Sequence, residues 1–189
     1  QFIPAGPYEF YVFDIFMHKL NLEKGIVKKM PIKVDDLTYL LKEYADYHNT
    51  IPWNDSILFT CMRTTDFAGL VKINVVKKEA QLFKTSTAKL SPEFPQDNAI
   101  LFLMKDSYKR IWCSNSSGLD IFYPNKQIFE HYHSIEGDTT SLLGQVPRFC
   151  EAPDHTFYIS SRAGVCATKA FPCTQAFFPP IFYRGCECI

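Results

Sequence analysis

The sequence predicts a mainly β protein: an eight-stranded antiparallel barrel with one main α-helix and a disulfide-stapled C-terminal tail. Three observations predict it. From Ile57 onward apolar residues recur with a period of two, interrupted at short intervals by Gly, Pro, Asn or Asp, as in successive hairpins. Residues 35–49 carry the clearest helical period. The chain is 47% hydrophobic and 15% aromatic, the profile of a packed domain and not of a disordered one. Eight strands can also stack as a β-sandwich, because strand number does not determine closure.

The 189 residues read as a single domain. Residues 1–34 form an N-terminal extension with a buried strand at 8–17, where β-branched and aromatic residues dominate. The helix at 35–49 begins at Asp35 or Asp36, either of which can cap its free amides. Leu37, Leu40, Leu41, Tyr44 and His48 then line one stripe, and Asn49 and Pro52 end it. The barrel spans 57–161, with strands at 57–63, 69–78, 80–88, 99–105, 108–114, 119–123, 127–133 and 155–161. A short helical turn is expected within 139–149, after Asp138. The tail, 165–189, carries no period of its own and must be stapled to the body. No internal repeat or interdomain linker stands out.

Twenty basic and twenty acidic residues cancel, and no basic run exceeds two residues. That excludes steering toward nucleic acid or an anionic membrane surface. The longest apolar run, 99–104, is too short to span a bilayer. The chain starts at Gln1, which suggests a removed signal peptide. Seven cysteines and the two acceptor triplets at Asn54 and Asn115 point to a secreted, disulfide-bonded glycoprotein. The candidate bonded cysteines are Cys61, Cys113, Cys150, Cys166, Cys173 and Cys188, with the connectivity open. The odd thiol is free or links two chains as a dimer.

The stretch from Tyr108 to His133 holds the candidate chemistry. On a strand, Glu130 and Tyr132 share one face while His131 and His133 share the other. A Glu130 pointing into a barrel would be a buried carboxylate, which an amine ligand could neutralise. Tyr132, Trp112 and Tyr123 would be its aromatic walls. The alternative is Glu130 in solvent and the histidines packed. His131 and His133, with His155, could share a metal, but no third ligand falls at useful spacing, so no metal or cofactor is expected. The chain has no nucleophile elbow, phosphate loop or zinc-protease motif, and the reading is not an enzyme. The run 177–183 is either a plug over the core or an exposed recognition surface.

Several short motifs follow one another: Phe59-Thr60-Cys61-Met62, Trp112-Cys113, Asp120-Ile121-Phe122-Tyr123-Pro124, Phe129-Glu130-His131-Tyr132 and Val146-Pro147-Arg148-Phe149-Cys150. Preceded by a Leu-rich helix, this order resembles the secreted tick lipocalins of the histamine-binding type, over residues 35–150. The resemblance implies a lipocalin-like barrel that binds a small amphiphilic or aminergic mediator. It also implies disulfides joining Cys113 to Cys150 and Cys61 to the C-terminal region, and places Glu130 and Tyr132 at ligand-facing positions. The expected function is a secreted carrier that sequesters a small hydrophobic or cationic molecule. The alternative is a secreted protein-binding module with a filled core, acting on a host protein. A secreted hydrolase is the third reading.

Overall fold

Among the residues described by the computed structural model, every regular element is a β-strand. Those residues are 1–13, 17–30, 33–34, 46–63, 68–84, 91–97, 100–133, 135–136, 142, 146, 148–161, 164–169 and 177–178. Sheet one contains β1 (Phe2–Gly6), β2 (Glu9–Phe13), β3 (Met17–Asn21) and β4 (Ile26–Lys29). Sheet two contains β5 (Lys33–Val34), β6 (Asp46–Pro52), β7 (Ile57–Arg63), β8 (Ala68–Asn74) and β9 (Glu79–Phe83). Sheet three contains β10 (Phe102–Lys105), β11 (Ile111–Ser114), β12 (Gly118–Tyr123) and β13 (Ile128–His133). Sheet four contains β14 (Phe149–Glu151), β15 (Phe157–Ser161), β16 (Gly164–Thr168) and β17 (Phe177–Phe178).

Each sheet is an up-and-down antiparallel meander; only β5 departs, lying parallel to β9 at the outer edge of sheet two. The sheets stack in chain order. Tyr11, Phe13 and Met17 of sheet one meet Leu58, Val71 and Ile73 of sheet two in one apolar cluster. Phe59 and Leu70 of sheet two meet Leu103, Ile111, Phe122 and Phe129 of sheet three in a second. Trp112, Leu119 and Ile121 of sheet three meet Phe149, Phe157 and Ile159 of sheet four in a third. Strand β1 of sheet one, β6 of sheet two and β10 of sheet three are successive neighbours. Four-stranded meanders repeated with these strands together follow the blade plan of β-propellers.

Polar bonds tie the sheets together near those strands. The Gln1 side chain donates to the Thr50 carbonyl at 2.8 Å and accepts the Thr50 amide at 2.7 Å. Asn49 accepts the Leu103 amide through Oδ1 at 2.6 Å, and Lys105 donates to the Trp53 carbonyl at 2.8 Å.

The expected barrel is therefore replaced by four separate sheets, none of which closes on itself. The alternation was real, but its two faces serve two neighbouring clusters and not a lumen and a surface. Ile111 and Cys113 face sheet two, while Trp112 between them faces sheet four. The strand at 8–17 is in fact β2 and the start of β3, paired so that Phe13 lies opposite Met17. Of the expected helix, 35–45 lie outside the described residues, and 46–49 belong to β6. Val165 to Thr168, expected as part of an aperiodic tail, lie in β16. Most of 139–149 and of the tail, with Cys173 and Cys188, lies outside the described residues.

A repeat is also present that the sequence reading missed. Gly69, Gly118 and Gly164 stand at the start of β8, β12 and β16 in sheets two, three and four, roughly 50 residues apart. Their φ angles are +157°, +153° and +133°. A side chain at Gly118 would collide with the Tyr132 carbonyl oxygen on β13, so this position needs glycine for space as well as conformation.

Candidate functional site

The turn between β10 and β11 runs Asp106-Ser107-Tyr108-Lys109-Arg110 and is built on one buried carboxylate. Asp106 accepts the Arg110 amide through Oδ1 at 2.7 Å. Its Oδ2 accepts Arg110 Nε at 2.6 Å and Trp112 Nε1 at 2.8 Å. The buried charge is thus met by an opposite charge and by donors enough to offset its desolvation. Lys109 takes a left-handed φ of +58° to close the turn. With Arg110 held, its guanidinium lies 5.0 Å from the Tyr108 ring and 5.6 Å from the Phe157 ring. Trp112 stacks on Phe157 beneath, centroids 4.6 Å apart.

The β14–β15 turn meets this one from sheet four. Glu151 accepts the Ser107 amide at 2.8 Å and the Ser107 hydroxyl. His155 Nδ1 lies 3.0 Å from Glu151 Oε1 and 3.1 Å from Ser107 Oγ. Burial pushes the Glu151 carboxyl up, but the Ser107 and His155 bonds outweigh it and hold its pKa below the ordinary range. The three residue types suggest a hydrolytic triad, but the wiring differs. Serine and carboxylate share one imidazole nitrogen, and the serine donates to the carboxylate. A triad would place them on opposite nitrogens with the serine proton aimed at the imidazole. This cluster fixes the two turns to each other.

The third part is the hairpin between β12 and β13. The Tyr123 hydroxyl donates to Glu130 Oε2 at 2.6 Å. Burial first, and then the Glu130 charge, raises the pKa of both Tyr123 and Tyr132. The Arg110 charge works the other way on Tyr123, lowering its pKa. Two pairs therefore stand in this region, Asp106 with Arg110 and Tyr123 with Glu130. At the region's exposed end stand Tyr108, 60% exposed, and His155, their ring centroids 6.0 Å apart.

The four expected site residues, Glu130, Tyr132, Trp112 and Tyr123, stand in this region in different roles. Glu130 is exposed and not inside a barrel. Trp112 is fully buried between sheets three and four. Tyr123 and Tyr132 are partly buried against the same cluster. Sequence reasoning passed over Asp106, Ser107, Tyr108, Arg110 and Glu151, and weighed His155 only as a metal ligand. The available signal was Asp106-x-x-x-Arg110-x-Trp112, which places the carboxylate one turn from both of its donors.

His131 faces the other way, toward sheet two's side of the molecule. Its Nδ1 lies 2.8 Å from Asp120 Oδ1 and its Nε2 3.0 Å from the Ser91 carbonyl. The Ser91 carbonyl is an acceptor, so Nε2 donates to it, while Nδ1 pairs with the Asp120 carboxyl. Burial opposes a charge on the ring, yet Asp120 and Ser91 outweigh it and raise the pKa. Burial also raises the pKa of Asp120, against the pull of His131. With both nitrogens engaged, His131 has none left for the metal reading.

The modification sites also divide. Asn54 is exposed, its Oδ1 accepting the amides of Ser56 and Ile57 in a turn. Asn115 is fully buried and its Nδ2 donates to Asp120 at 3.2 Å, so the nitrogen a glycan would need is engaged and the expected glycan at Asn115 is corrected. Among the described residues no disulfide forms. Cys113 is a buried thiol facing sheet two, pushed well up by burial first, then by Asp120 and Cys61. Cys150 stands on β14 in sheet four, the sheet that covers the opposite face of sheet three, so the implied Cys113–Cys150 bond is absent. Cys61 donates to the Asn49 carbonyl at 3.5 Å, and Cys166 packs into the third cluster.

No family model and no curated protein matches the chain. Solved structures do. One is the extracellular domain of BT3049 from B. thetaiotaomicron, described as a hybrid two-component system, with a TM-score of 0.56 and 16% identity over 86% of this chain and 19% of that one. Another is the extracellular domain of BT4673 from the same organism, described as a one-component system, with a TM-score of 0.63 and 12% identity over 88% of this chain and 20% of that one. At such identities the likeness concerns the fold alone, and the chain spans about a fifth of the length of these structures. No helix of the described residues is long and apolar enough to cross a membrane.

Proposed function

We propose that the chain is an extracellular binding module that recognises its ligand or partner with the turn end of sheets three and four, and carries out no chemistry. The observation that carries this is the Tyr108 ring. It is exposed, backed by the Arg110 guanidinium and set beside His155 by the Ser107–Glu151 bonds. An aromatic held in place from below loses little entropy on binding, which is what a recognition surface needs. The likeness to extracellular domains of signalling proteins supports the compartment. Sequestration in a barrel lumen falls with the barrel, and the solid clusters between sheets favour the filled-core alternative.

The test is a screen of amines, saccharides and short peptides by NMR, following the Tyr108 and His155 ring resonances. A binder that perturbs both rings and loses at least tenfold in affinity in Tyr108→Ala, with Tyr158→Ala unchanged, supports the reading. Binders indifferent to Tyr108→Ala would move the site elsewhere.

A further inference from the structure

We propose that residues 91–97 form a strap on the edge of sheet three whose attachment depends on one buried proton, so that the strap detaches as pH rises. The strap crosses the last strand of the sheet, β13, and reaches in to β12. The Phe129 amide donates to the Pro92 carbonyl at 2.6 Å. His131 Nε2 lies 3.0 Å from the Ser91 carbonyl, and the Gln96 amide donates to Asp120 Oδ2 at 3.0 Å. Gln96 Nε2 adds a longer bond to the Tyr132 carbonyl, and Asp97 accepts the hydroxyls of Ser116 and Ser117.

A count of hydrogens shows how the strap is held. Two bonds run through the His131 ring, Nε2 to Ser91 and Nδ1 to Asp120 Oδ1. Each needs a hydrogen between its two heavy atoms. The Ser91 carbonyl has none to give, so Nε2 carries that one. The other sits on the ring or on the carboxyl, and either arrangement keeps both bonds. A neutral imidazole beside an ionised carboxylate has a single hydrogen for the two gaps. The carboxylate is the stronger acceptor and keeps it, so Ser91 is the partner released. The Asp120 side chain is fully buried and that of His131 is 8% exposed, so water is poorly placed to fill the gap.

Among the described residues, the titratable groups on this side are Asp97 of the strap, Cys113 of β11 and His133 of β13, while Glu93 of the strap is exposed. Sheet two presents Phe83 to Phe129 and Cys61 to Cys113. The negative charge of Asp97 favours keeping the proton. Burial raises the Asp120 value; burial lowers that of His131, and its bonds to Asp120 and Ser91 more than restore it. The proton is therefore present at low pH and leaves as pH rises through the raised value.

The experiment is amide hydrogen exchange by NMR on the whole chain from about pH 6 to about pH 9, expressed as protection factors. The Gln96 and Phe129 amides report the strap, and the amides of β8 report global opening. Protection of Gln96 and Phe129 should fall at least tenfold more than that of β8, with the midpoint at which the His131 ring nitrogens titrate. Asp120→Asn separates the proton from the fold. Its amide donates to Nδ1 while its oxygen accepts the Gln96 amide, so both gaps are filled with nothing to titrate, and the strap should stay protected throughout. His131→Ala should leave the strap poorly protected at every pH. Strap protection in the unmodified chain that follows β8 across the range would overturn the proposal, and so would an undiminished fall in folded Asp120→Asn. The unmodified chain alone decides the first of these, whether or not the variants fold.

Discussion

Sheets one and three have the same four-stranded meander and opposite surroundings. In sheet three every residue of β11 is buried, as are Gly118 to Phe122 of β12, because clusters lie on both faces. Among the described residues only one face of sheet one meets a neighbour, and all four residues of β4 are exposed. The difference teaches that position in the stack, more than strand composition, decides what a side chain contributes. Ile26 on β4 and Ile121 on β12 are the same residue type, one 52% exposed and the other fully buried.

The largest expected effect tests the covered side. Trp112→Ala removes the ring stacked on Phe157 and one donor to Asp106, and should cost about 3–5 kcal/mol in urea unfolding. His131→Ala leaves Asp120 charged and buried without its partner, and should cost roughly 3 kcal/mol by the same measurement. The pH dependence carries a sign. The His131 pKa is raised on folding, so its contribution is complete below the unfolded value of about 6.5 and is lost as pH rises through the folded value. The raised pKa of Asp120 works in the same direction. Urea midpoints should therefore fall as pH rises from about 6 through the raised His131 value in the unmodified protein, and much less in His131→Ala.

Gly118→Ala forces a side chain against the Tyr132 carbonyl at a φ that side chains avoid, and should cost about 2–3 kcal/mol, read as a drop in melting temperature. The smallest effect belongs to the outer strand β4, all of whose residues are exposed. Ile26→Ala should change stability by less than about 0.5 kcal/mol, and a larger loss would mean that sheet one is covered on the face that carries it.

Strand positions were legible because hairpin breaks are local. β7 falls at 57–63 as the alternation indicates, and β13 within one residue of its expected start. Closure was not legible, because alternation says that two faces differ and not what covers each. The run Ile111-Trp112-Cys113 held a clue, since three successive apolar residues suit a strand covered on both sides. The helix reading of 46–49 failed where Asn49 and Thr50 were needed as strand residues bonded to Leu103 and Gln1, a tertiary demand that helical spacing does not reveal. At the site, Tyr123 and Glu130 were singled out as ligand-facing residues of one stretch, and the structure joins them by a hydrogen bond. Glu151 and Ser107 were missed because they lie 44 residues apart and meet only across sheets.

Amide hydrogen exchange, resolved by residue, tests the doubly covered interior most directly. The account predicts that 111–114 and 119–122 exchange slowest of all, near the rate of global unfolding, and that 26–29 exchange fastest among the strands. Equal protection of 26–29 and 111–114, as a continuous barrel wall would give, would contradict it.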